Sequence, residues 1–145
     1  MLIALALAAG AIVPLQTGTN AALSRGLGNG IMASFVVFVI AALCMGIVLL
    51  IMRQSMPAAS QLTSIPAYAW VTGGILGTVY IFLLIYLAPK LGMASVTGFV
   101  VAGQLLMAVI FDHFGLMNFP VHAINWQRMA GILLMAGGLF LIKKF

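Results

Sequence analysis

Few side chains in this sequence are able to do chemistry. Asp112 is the chain's only acidic residue, next to His113 in the string GFVVAGQLLMAVIFDHFGL at 98–116. A single carboxylate excludes paired general acid–base catalysis. Cys44 lies inside an apolar run, and neither it nor His113 and His122 combine with a base and an orienting group into a nucleophilic site. Asp112, His113 and His122 match no known metal-site spacing. The glycine string SRGLGNG at 24–30 lacks the strand and helix context of a phosphate or dinucleotide loop. The residues therefore predict no enzyme, no metal and no cofactor.

What remains is the chemistry of polar groups in an apolar setting. Gln104 lies near the middle of 98–116, where its amide must be satisfied by protein or trapped water. It either lines a cavity or bridges two helices. Asp112, near the end of the same segment, is either a proton or cation site or a helix-end carboxylate paired with Arg128 or Arg53. The two are eight positions apart, so on one helix they differ by about 80° in azimuth and lie roughly 12 Å apart along the axis. Gln16 and Asn20 are four apart and share a face next to Pro14, whose missing N–H leaves the Gly10 carbonyl without its usual donor. Gln16, Asn20, Tyr80 and Gln104 are the candidate pathway residues, and Asp112 and Arg128 the candidate coupling or ion-pair residues. Trp70 and Trp126 read as interfacial anchors, and the ten methionines as soft packing.

These residues must be positioned by membrane helices. Hydrophobic residues make up 65% of the chain and charged ones 5%, so a soluble fold of this size has no means to cover its surface. Apolar runs of about 20 residues recur, each long enough for about 30 Å of hydrocarbon. The expected fold is all-α: a polytopic membrane protein forming one domain over residues 1–145, with five transmembrane helices at about 2–23, 31–52, 68–88, 93–112 and 126–142. SRGLGNG reads as a turn, residues 53–66 as the longest exposed loop, and the Pro89–Lys90–Gly92 region as a very short turn between antiparallel neighbours. His113, Asn118, Pro120 and His122 fall in the connection to the fifth helix. Gly73 and Gly77 give a GxxxG spacing, and Ser95, Gly98 and Ala102 a strip of small residues, both suited to close helix approach.

The net charge of +5 comes from scattered basic residues at expected helix ends, which is a topology signal and not a nucleic-acid surface. Five helices put Arg53 and Arg128 on the N-terminal side and Arg25, Lys90, Lys143 and Lys144 on the other. By the positive-inside rule the N-terminus is expected outside and the C-terminus in the cytoplasm.

Four strings carry a family pattern: PLQTGTNAALSRGLG at 14–28, WVTGGILGTVYI at 70–81, PKLGMASVTGFVVAGQLL at 89–106 and DHFGL at 112–116. Together they resemble the YdcZ family, the five-helix, half-size branch of the drug/metabolite transporter superfamily. The resemblance implies a bacterial inner-membrane exporter of a small molecule, without naming the substrate. Larger superfamily members have ten helices in two inverted halves, and an odd helix number inverts the second half automatically. A half-size chain then needs a partner, a second copy or a homologous half-transporter, to complete a pathway. The alternatives are a non-transporting membrane assembly subunit and a flippase for a lipid-linked substrate. The bilayer is the one partner that composition itself requires.

Overall fold

A computed structural model describes residues 1–116 and 120–144. Asn118, read above as part of a polar connection, lies outside them. Every described regular element is helical: α1 Leu2–Leu27, α2 Gly30–Ile51, α3 Ala59–Ser64, α4 Ala67–Leu91, α5 Met93–Phe114 and α6 Trp126–Lys144. Helices satisfy their own backbone groups, which hydrocarbon demands of any spanning segment. α1, α2, α4 and α5 are long and apolar enough to cross a membrane. α6 carries Arg128 in its first turn and Lys143 and Lys144 in its last. The apolar stretch between them, 129–142, is about 21 Å long at 1.5 Å per residue, shorter than a hydrocarbon core of about 30 Å.

Four helices, α1, α4, α5 and α6, are longer than the sequence expectation, and α2 keeps its expected length one residue earlier. α1 continues to Leu27 with Pro14 inside it, which reduces the expected turn to Gly28 and Asn29. Gly28 takes the left-handed conformation (φ 63°) and donates its N–H to the Arg25 carbonyl at 3.3 Å. That is a conformation glycine adopts without a Cβ penalty. Asn29 Oδ1 then accepts the N–H groups of Ile31 and Met32 at 2.9 and 3.1 Å, capping α2. α4 likewise runs through Pro89 to Leu91, leaving Gly92 (φ 83°) as the single residue before α5. Residues 53–66 contain the short α3, whose first turn is closed by Gln61 Oε1 accepting the Ala58 N–H at 3.0 Å.

The chain divides into two compact units, Met1–Lys90 and the part from Leu91 onward. In the first, Ala33, Ile81 and Ile85 form a small core flanked by Leu23, Val37, Phe38 and Tyr80. It lies where the C-terminal half of α1, the N-terminal half of α2 and the C-terminal half of α4 meet. Residues 2–12 of α1 and 67–76 of α4 are exposed. Gly30 sits in the crowded spot, with Ser24, Phe82 and Ile85 within 3.5–3.7 Å of where a Cβ would be. In the second unit α5 and α6 run antiparallel, Gly98 facing Leu139 and Asp112 facing Arg128. A Cβ at Gly98 would collide with the Leu139 side chain, so a larger residue there makes that side chain shift. Most large apolar side chains of both units point outward, the inverse of a soluble fold and the arrangement lipid favours.

Candidate functional site

Two polar regions stand out, one in each unit. The charged one closes the open end of the α5–α6 hairpin. Asp112 occupies the last turn of α5 and Arg128 the first turn of α6. Arg128 Nη1 donates to Asp112 Oδ2 at 3.2 Å and to the His122 carbonyl at 3.3 Å. The connecting segment is tied back as well. The His122 N–H donates to the Asp112 carbonyl at 2.8 Å, and the Ile124 N–H to His113 Nδ1 at 3.2 Å. Accepting at Nδ1 places the His113 proton on Nε2. Asn125 Oδ1 accepts the Arg128 N–H at 2.9 Å and caps α6.

The Asp112 and Arg128 side chains are each about a third exposed, so water screens part of their attraction. They form one end of an open groove of about 430 Å³ along the hairpin, lined otherwise by apolar side chains including Leu105, Ala108, Ile132 and Met135. Asp112 is thus paired with Arg128. No cluster of three or more His, Cys, Asp or Glu side chains occurs among the described residues.

The uncharged region belongs to the first unit. Asn20 is 8% exposed, and Thr17 and Ser34 are buried as well. The two hydroxyls turn back on their own helices: Thr17 Oγ1 donates to the Val13 carbonyl at 2.8 Å and Ser34 Oγ to the Gly30 carbonyl at 2.9 Å. The Asn20 amide has no side-chain hydrogen bond to any described residue. Gln16 is exposed, since the buried arc of α1 centres on Thr17, Asn20 and Ala21 and Gln16 falls about 90° from that centre. Tyr80 is half-buried against the core cluster.

Gln104 is exposed on α5 and has no side-chain hydrogen bond to any described residue. A second groove, of about 490 Å³ between α2 and α4, is walled by Phe35, Phe38 and Phe82. Its hydroxyls, Ser34 and Thr78, are both bonded to carbonyls of their own helices. The groove presents almost entirely apolar surface.

Of the candidate residues, the structure brings Asp112 and Arg128 into contact and leaves the amides of Gln16, Asn20 and Gln104 without hydrogen-bond partners among the described residues. Sequence reasoning assigned no individual role to Thr17, Ser34 and Asn125, and weighed His113 only as a nucleophilic or metal-site group. Asn125 directly before Trp126 is a helix-capping signal that was there to be read. Thr17 and Ser34 each stand four residues after the carbonyl they bond, but the spacing alone does not say which hydroxyl is buried. The His113 contact had no local signal, because its partner lies eleven residues away.

A family model described as "Putative inner membrane exporter, YdcZ" matches residues 1–141 of the chain. No curated protein and no solved structure matches it.

Proposed function

The chain belongs to the YdcZ family of inner membrane exporters, and we propose that it is a secondary transporter moving a small molecule outward as a dimer of half-size units. In this reading α6 is the fifth span, completed by Arg128, Lys143 and Lys144 reaching to the interfaces, and the five spans act as one domain. The N-terminus lies outside and the C-terminus in the cytoplasm, as the four basic residues Arg25, Lys90, Lys143 and Lys144 favour over Arg53 and Arg128.

The observation that carries the proposal is the set of three unpaired amides. Gln16, Asn20 and Gln104 all sit in helices of membrane-spanning length, and none has a side-chain hydrogen bond to a described residue. An unsatisfied amide in hydrocarbon is costly, so such groups face a water-filled path or another chain. A pathway completed by a second copy supplies both.

The test is reconstitution in liposomes with a panel of fluorescent, quaternary-ammonium, guanidinium and metabolite substrates, together with mass analysis in bilayers. Saturable flux from a dimer is the expected result; a monomer in bilayers, or no flux across the panel, contradicts it. A non-transporting assembly subunit is the second reading, favoured by the open space around Gly73 and Gly74, where nothing lies within 4 Å of the position a Cβ would take. That reading expects the amides to be satisfied at an interface with a different protein.

A further inference from the structure

The groove of the α5–α6 hairpin combines three properties that together specify a ligand. Its apolar wall runs from Leu105 and Met135 to the charged pair at Asp112 and Arg128. Leu105 and Asp112 are seven residues apart, about 10 Å along the helix. The volume of about 430 Å³ is within the usual range for small-molecule clefts, about 300–1,000 Å³. The charged pair also has bonding capacity left. Arg128 uses Nη1 for both Asp112 and His122, and Asp112 receives it on Oδ2. The second carboxylate oxygen, Nη2 and Nε have no partner among the described residues, and both side chains are partly exposed.

We propose that this groove binds a small amphipathic zwitterion of the α-amino-acid class. Its ammonium sits against the free Asp112 oxygen, its acidic group against the free edge of Arg128, and its apolar body along Leu105, Ala108, Ile132 and Met135. Charge balance selects the class. The pair is neutral, and a lone cation or anion is attracted by one member and repelled by the other at an end that water only partly screens. A zwitterion keeps the sum at zero and gives each charge an opposite neighbour.

The placement of the pair also fits an amphipath. Asp112 and Arg128 lie in terminal helix turns, where water is near, while the apolar wall runs deeper along the hairpin. Gly131 keeps the groove open: it lines the wall, and nothing lies within 4 Å of where its Cβ would be. The site rests on the transporter reading for its purpose, as the place where cargo is held.

The experiment is equilibrium binding of radiolabelled L-phenylalanine to the full chain in lipid nanodiscs. Its methyl ester (a cation), N-acetylphenylalanine (an anion) and glycine (no apolar body) serve as competitors. Phenylalanine is expected to bind, each competitor to be at least about tenfold weaker, and Gly131→Leu to remove binding by filling the groove while helicity and melting are kept. Gly131→Ala gives a smaller loss and guards against a folding defect in the larger variant. Absence of phenylalanine binding, binding that survives Gly131→Leu in a folded protein, or a singly charged competitor of equal strength overturns the site. Binding without counterflow in liposomes leaves the site standing and sinks the transport reading. Counterflow of phenylalanine that ignores Gly131→Leu does the reverse.

Discussion

The two units handle polarity in opposite ways. In the first, α1, α2 and α4 meet around Ala33, Ile81 and Ile85, and the buried hydroxyls of Thr17 and Ser34 are satisfied inside their own helices. These groups need no tertiary partner and specify none. In the second, α5 and α6 are joined by groups that must find each other: Asp112 and Arg128, His113 and Ile124, Asp112 and His122. The α5–α6 hairpin buries little apart from Val96, Val109 and Leu139. Packing dominates the first unit and electrostatics positions one end of the second. The exposed amides of Gln16 and Gln104 belong to neither scheme, which is why the proposed pathway is drawn through them.

The contrast gives graded expectations for stability, read by reversible unfolding in mixed micelles. The largest effect belongs to Ile85→Ala, which hollows the first unit's small core and should cost about 3 kcal/mol. Gly98→Leu comes next, at about 2 kcal/mol, because the added side chain meets Leu139 and pushes α5 from α6. Arg128→Ala should cost about 1 kcal/mol, since the pair it breaks is partly exposed. Exchanging the two charges, Asp112→Arg with Arg128→Asp, should recover part of that loss. Ser34→Ala should change stability by less than about 0.5 kcal/mol, because its hydroxyl bonds only its own helix. A larger loss from Ser34→Ala than from Arg128→Ala would invert the comparison.

Much of this was legible in the sequence for a physical reason: lipid allows few solutions. Apolar runs of the right length had to be helices, and four of them are of membrane-spanning length. The ends were less legible. Pro89 and the glycines of 24–30 read as breakers by soluble-protein rules, whereas Pro14 read as an interruption within the first helix. In these helices α1 and α4 run on through or past them, and only Gly28, Asn29 and Gly92 remain outside. The Asp112–Arg128 pair was readable because the chain has one acid and few cations. Choosing Arg128 over Arg53 needed the hairpin. The exposed side of Gln104 was not readable, since one glutamine in an apolar run fixes no azimuth for its partner face.

In the proposed transport cycle, substrate crosses the membrane along the amides of Gln16, Asn20 and Gln104. The most direct measurement is counterflow in proteoliposomes across the substrate panel, comparing the natural chain with Gln104→Ala at equal incorporation. Saturable counterflow by the natural chain is expected, with a loss of at least about tenfold in Gln104→Ala at unchanged yield, dimer fraction and unfolding midpoint. Equal counterflow by both proteins would contradict it.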